Sequence, residues 1–309
     1  MTPDHSTNPY GHRITHELTR QIRRSGLPFD LRVVEEISST MDIVAWGRNH
    51  LAPPTAGLAL VAKNQTHGQG HSGAWLSNPA DLKVTFLLAS PFSEQVSLAK
   101  VGFAWATAEA IRIAASQKHI AHPFEVGVKW PNDVRIMSES RTLKVAGIMV
   151  LTPDHRREDR ETCRQHRWEC PPGFMLVGIG IGLTRPTVDQ TVSTHLGSKK
   201  LSEIATTLDQ WTAHPVAWSD ILLPLIHKVE IVDSFLREDA GDKLARTISR
   251  RFALGKDDQV ILELIGEPSM VVTVRGATGV GLHIERDGKP ATIPFDRIVR
   301  FTPCGYGGV

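Results

Sequence analysis

The sequence predicts an α+β sandwich with a small β-barrel at its C-terminal end, and three observations carry that prediction. Apolar segments over 58–63, 82–89 and 174–183 read as buried strands, in a run that suits a mostly antiparallel sheet. Helices come grouped rather than alternating with strands. A long one over 93–116 places Leu98, Val101, Trp105 and Ala108 on one face, and two more follow over 201–211 and 215–239. After Gly255 the texture changes to short alternating segments over 259–265, 269–275, 281–285, 291–294 and 298–301. Turn residues separate them, among them Asp287-Gly288, a strong hairpin signal.

The remaining elements follow from local chemistry. Residues 1–12 read as a disordered tail. Ile14, Leu18 and Ile22, spaced by four, predict a short amphipathic helix that Gly26 stops. Residues 31–34 read as a strand, and Ser38-Ser39-Thr40 as the cap of the next helix, because hydroxyls satisfy the free amides of a helix start. A strand pair occupies about 126–149, and a polar insertion follows over 153–172. His155, Cys163, His166 and Cys170 of that insertion lack a paired Cys-x-x-Cys unit, so a mobile charged hairpin is expected there rather than a metal site. The division is a tail and helix over 1–30, a main domain over 31–252 and a small barrel over 257–302.

Composition narrows the class. In 309 residues the formal net charge is +2, which argues for neither nucleic acid nor an acidic membrane surface as partner. Hydrophobic residues at 41% and charged residues at 22% are ordinary for a globular enzyme-sized chain. No apolar run approaches the roughly 20 residues of a spanning helix. The polar stretch over 1–11 is neither a signal nor a transit sequence. Three cysteines predict no disulfide framework, so a reducing, cytoplasmic setting is expected.

Three segments hold the chemistry. Lys129-Trp130-Pro131-Asn132-Asp133 ends a strand, and Pro131, with no backbone donor and a set φ, turns the chain. A cation, an indole, an amide and a carboxylate thus gather within five positions. They suit a nucleotide and an acyl phosphate: charge for phosphoryl oxygens, a flat apolar face for a base, acceptors for amine protons. Eleven residues after Asp133 stands Lys144-Val145-Ala146-Gly147-Ile148, where small residues let a lysine reach a ligand unobstructed. A third stretch, Gln65-Thr66-His67-Gly68-Gln69-Gly70-His71-Ser72-Gly73-Ala74-Trp75, is a glycine-rich loop whose backbone amides can approach an anion.

Together these segments resemble biotin protein ligases, over roughly 31–302. The resemblance implies a catalytic domain similar to class II aminoacyl-tRNA synthetases with an SH3-like C-terminal barrel. It implies ATP-dependent formation of biotinyl-5′-AMP, then transfer of biotin to a lysine of a biotin carboxyl carrier domain, with Mg²⁺ brought by ATP. The short segment ahead of residue 30 resembles the class without a DNA-binding domain. An exposed strand of the central domain offers a surface for a homodimer.

By the same resemblance Lys144 contacts the biotin carboxyl and the adenylate phosphate, and Asn132 and Asp133 flank the reacting centre. Asp133 orients or deprotonates the incoming amine, and Lys129 serves the phosphates. Ser39, Thr40 and Gln65 take the ureido head, with Gly68, Gln69, His71 and Gly147 completing the biotin site. Gly70, His71, Trp75, Lys129, Asn132, Gly180 and Gly182 face the nucleotide. Trp75 and Trp130 offer flat walls or core packing.

Two departures stand out. Gln69 and His71 occupy positions where the family carries arginines, with Ala74 where another basic residue is common, and Gly182 replaces the asparagine of Gly-x-Gly-x-Asn. A glutamine has no charge and a histidine only part of one near neutrality. A ligase with a weaker hold on its intermediate, one that uses His67 and His71 instead, and a degenerate biotin-binding paralogue all stay open. So does a lipoate or octanoate ligase of similar fold.

Overall fold

The computed structural model describes residues 9–51, 55–70, 73–75, 78–92, 95–129, 131–185, 191–194, 197–249, 259–278, 281–294 and 297–303. His71 and Trp130, both named above, lie outside them, as do most of the 1–12 tail and the 252–257 link.

The chain opens with α1 (Pro9–Arg24), β1 (Asp30–Ile37), α2 (Ile43–His50) and β2 (Leu58–Gln65). The two-residue strands β3 (Gln69–Gly70) and β4 (Gly73–Ala74) pair inside the glycine-rich loop. Next come β5 (Leu82–Ala89), α3 (Val96–Ser116), β6 (Glu125–Lys129), β7 (Asp133–Met137) and β8 (Thr142–Leu151). Then follow α4 (Arg157–His166), β9 (Phe174–Ile181), β10 (Thr191–Thr194), β11 (Gly197–Lys200), α5 (Leu201–Ile204), α6 (Trp218–Arg237) and α7 (Gly241–Ser249). The C-terminal strands are β12 (Gln259–Leu264), β13 (Met270–Thr278), β14 (Gly281–Arg286), β15 (Lys289–Pro294) and β16 (Ile298–Pro303).

Seven strands form the main sheet in the order β1-β2-β5-β9-β8-β7-β6, with β1 and β6 at its edges. Only the β1–β2 pair is parallel, across the α2 connection; the others are antiparallel, as the strand run predicts. Strand residues alternate between two faces. One face, with Val84, Phe86, Val177, Ile179, Ala146 and Ile148, joins the apolar cluster that also holds residues of α3 and α6. Gly102 of α3 lets the helices close up: a Cβ there would stand 2.9 Å from Val232 Cγ1 of α6. The opposite face carries a smaller cluster, Met41, Leu60, Leu87, Met149, Cys163 and Trp168, and beyond it the polar residues described below.

The C-terminal segments form one five-stranded antiparallel sheet, in the order β15-β14-β13-β12-β16. Val260, Leu262, Val272, Val274 and Ile284 are buried, alternating along their strands as predicted. Leu244, Ala245 and Ile248 of α7 belong to the same cluster.

Two expectations are corrected, and one helix is unforeseen. The insertion is no hairpin: α4 is a helix whose Asp159 and Cys163, four apart, are its buried residues. Asp159 Oδ2 accepts from the Thr152 amide (2.8 Å) and hydroxyl (2.9 Å), and Cys163 is disulfide-bonded to Cys170. A charged sequence hid one four-residue spacing and a crosslink. The helix expected over 201–211 is one turn, α5, followed by extended Thr206-Thr207 and a 3-10 turn over Leu208–Gln210. Hydrogen bonds to the ends of β8 and β9 override helix propensity there: Thr206 N donates to Lys144 O (2.8 Å) and Leu208 N to Gly182 O (3.1 Å). The short, polar α7 escapes the reading because only three of its residues are buried apolar ones.

The disulfide closes a loop of seven-residue separation, and chain closure of that size is worth about 2–3 kcal/mol. Denaturant unfolding with and without dithiothreitol should therefore show a lower midpoint under reduction, and Cys163→Ser should abolish the difference.

Candidate functional site

The site face is organised by one cross-strand row. Register pairs Lys83 of β5 with Gly180 of β9, Gly180 with Gly147 of β8, Gly147 with Asp133 of β7, and Asp133 with Lys129 of β6. Directly paired residues share a face, so two glycines form a flat floor between charged ends. Trp75 lies on that floor. A Cβ on Gly180 would stand 2.5 Å from Trp75 Cε2 and Cζ2, and one on Gly147 3.2 Å from Trp75 Cζ3. The Trp75 Nε1 atom is buried with no hydrogen-bond partner among the described residues.

Lys144 reaches the same face through a β-bulge. Alternation alone would put residues 144 and 147 on opposite faces. The β7–β8 register shifts between Val134, paired with Ala146, and Arg135, paired with Lys144, so Val145 is the extra residue and stays buried. The Lys144 ammonium consequently stands 2.6 Å from Asp133 Oδ1 and 6.0 Å from the Trp75 ring centre. Asn132 spends its side chain on the scaffold: Nδ2 donates to Ile148 O (2.9 Å), and its own carbonyl accepts from Ile148 N (2.9 Å).

Next to this row lies a chain of neutral polar groups. Thr85 donates its hydroxyl to Thr40 Oγ1 (2.9 Å), and Thr40 donates its hydroxyl (3.0 Å) and amide (2.6 Å) to Gln65 Oε1. Ser39 caps the 3-10 turn Thr40–Asp42, its Oγ accepting from Met41 N (3.2 Å), so the predicted cap is real. Met41 tucks under the sheet glycines: a Cβ on Gly178 would stand 2.7 Å from its Sδ. Gly68 sits where Trp75 N donates to Gly68 O (2.9 Å), with Gln65 Nε2 3.0 Å from any Cβ, so the loop closes back on β2.

The residues named from sequence therefore converge. Ser39, Thr40, Gln65 and Gly68 form one end, and Trp75, Gly147, Gly180, Lys144, Asp133 and Lys129 the other. Gln69 and Gly70 lie in β3 of the covering loop. Gly182 stands one step aside: its Cβ position is closed by Thr206 O (3.1 Å) and Thr207 Cγ2 (3.2 Å). Sequence reading missed Thr85 and Lys83. Only strand parity signals them, two polar residues at i and i+2 of an apolar strand.

Lys83 is 1% exposed, and burial pulls its amine down to about 8 from the ordinary 10.5, against the pull of Asp81. Burial also raises the Asp81 carboxyl, against the amides it accepts from Leu183, Asn78 and Thr184. The unfolded chain thus holds more protons on Lys83 between pH 8 and 10.5, so this group adds stability as pH rises through that window. Relative to Lys83→Met, the wild type should gain up to about 1.4 kcal/mol per pH unit across it, read from urea unfolding at stepped pH.

Comparison with known proteins bears on the fold. Residues 33–157 match the family model described as the Biotin/lipoate A/B protein ligase family. No curated protein matches the chain by sequence. Among solved structures, a biotin protein ligase from Aquifex aeolicus in complex with biotin and ATP superimposes with a TM-score of 0.60 at 21% identity, covering 89% of this chain and 99% of that one. A point mutant of the same ligase with biotin gives 0.59 at 22% identity, covering 90% and 99%. Its apo structure gives 0.57 at 19%, covering 89% and 100%. Residues 33–157 are thus similar to the Biotin/lipoate A/B protein ligase family, and the chain shares the fold of these solved structures.

Proposed function

We propose that the protein is an ATP-dependent biotin–protein ligase. The observation that carries the reading is the placement of Lys144, turned by the Val145 bulge onto a glycine floor between Asp133 and Trp75. The neutral chain Thr85–Thr40–Gln65 beside it suits a urea, which needs donors and acceptors but no charge. The family match and the likeness to ligases solved with biotin and with ATP support the same reading.

In the first step the biotin carboxylate attacks the α-phosphorus of ATP and pyrophosphate leaves, giving biotinyl-5′-AMP. Lys144 neutralises charge shared by the carboxylate and the phosphoryl oxygens, and Lys129 adds positive field at the β6 end of the row. In the second step the amine of a carrier-domain lysine attacks the acyl carbonyl and AMP leaves. Asp133 orients that amine and accepts its proton. Splitting the reaction makes the acyl group electrophilic enough for an amine that water keeps mostly protonated. Mg²⁺ brought by ATP would supply further charge neutralisation at the phosphates and would need no dedicated protein cage. Asn132 acts on the scaffold, locking β7 against β8 so that Asp133 and Lys144 stay paired.

ATP–pyrophosphate exchange with biotin, with lipoate and octanoate as parallel acids, tests this reading. Exchange with biotin alone is expected, and Lys144→Met should reduce it at least about a hundredfold, the scale on which one preorganised charge acts. Exchange with lipoate would move the substrate, and no exchange by folded, biotin-binding protein would make it a binding relic. Restoring the family pattern with Gly182→Asn should lower stability by about 1–3 kcal/mol rather than improve nucleotide use. The added Cβ meets a backbone oxygen, Thr206 O, which thermal unfolding would register.

A further inference from the structure

Lys83 has no part in the chemistry above, yet it is a fully buried lysine at the end of the site row. A methionine or leucine would fill the same volume without the cost of a buried charge. The ammonium donates to Lys63 O (2.7 Å), Asn78 O (2.8 Å) and, more weakly, Pro79 O (3.5 Å). Lys63 lies in β2 just before the glycine-rich loop, and Asn78 and Pro79 lie where that loop returns to β5. The β2–β5 ladder runs from Leu58–Leu87 to Val61–Val84, and past that point the Lys83 side chain bridges the two strands.

The returning segment is tied down further. Asn78 Nδ2 donates to Thr184 O (2.6 Å), while Asp81 accepts from Asn78 N (3.0 Å) and Leu183 N (2.8 Å). Three segments therefore meet at one ammonium and its neighbouring carboxylate: the strand before the loop, the loop's return, and the chain just past Gly182. Gln69 and Ala74 bring no charge with which a bound phosphate would hold the loop, which gives weight to contacts of the protein itself at the loop's two ends.

We propose that Lys83 is a positioning residue: its ammonium staples the two ends of the glycine-rich loop together and thereby sets where Trp75 lies over Gly180 and Gly147. Its effect on substrate use rests on the ligase reading; its effect on the loop does not.

The test compares wild type with Lys83→Met by hydrogen–deuterium exchange of the backbone over 64–83 and by biotin-dependent ATP–pyrophosphate exchange. Folding is checked by circular dichroism. In folded Lys83→Met, amides of this segment, including Trp75 N bonded to Gly68 O, should exchange at least ten times faster, with amides of α3 unchanged. The KM for biotin should rise at least fivefold with kcat within threefold. Wild-type loop exchange in the variant would overturn the proposal, as would loss of kcat at unchanged KM. Should Lys83→Met fail to fold, Lys83→Gln keeps two N–H donors. An intermediate, at least threefold acceleration is then expected, and a wild-type rate overturns the staple. If the wild type itself shows no biotin-dependent turnover, the ligase reading falls while the loop measurement still decides the role of Lys83.

Discussion

The site depends on one extra residue in β8. In a regular strand the lysine three positions before Gly147 would point to the helical face, where Val145, Ala146 and Ile148 are buried. Inserting Val145 into the β7–β8 pairing turns Lys144 to the other side, beside Asp133 and under Trp75. A bulge costs ladder regularity, and here it redirects one cation by a whole face of the sheet. Asn132 secures the same strand pair from the turn, so the geometry of the ion pair is held by backbone bonds on both sides.

The glycines of β8 and β9 are sockets, each matched to a particular occupant. Met41 fits against Gly178, Trp75 against Gly180, and Trp75 together with the Lys144 stem against Gly147. Gly182 follows the same logic with a different mate, since Thr206 and Thr207 take the room that a side chain would need. The 205–208 segment packs onto the sheet beside Gly182, with Leu208 N bonded to the glycine's own carbonyl. Close approach of this kind is the reason alternating glycines persist in a strand whose backbone they weaken.

Buried charge is concentrated where the loop joins the sheet. Asp81 and Lys83 are both nearly excluded from solvent, and burial dominates the shift of each despite their mutual attraction. Their hydrogen bonds go almost wholly to backbone amides and carbonyls of loop segments. Such an arrangement gives up stability for a defined backbone path, a common exchange beside functional sites.

Much of this was legible beforehand. The apolar runs of β5 and β9, the long apolar helix and the short alternating C-terminal strands are local patterns, so composition and spacing suffice to place them. The Lys-Trp-Pro-Asn-Asp and Lys-Val-Ala-Gly-Ile segments marked the residues that meet at Asp133 and Lys144, and the serine cap at residue 39 was correctly placed. What lay beyond local pattern was decided by pairing across strands. The Val145 bulge, the alignment of Lys83 with Gly180 and the conversion of an expected helix over 201–211 into hydrogen bonds at the ends of β8 and β9 all join residues distant in sequence. A sequence states which side chains a strand owns; which face they serve depends on register, and register is set only when the neighbouring strand is in place.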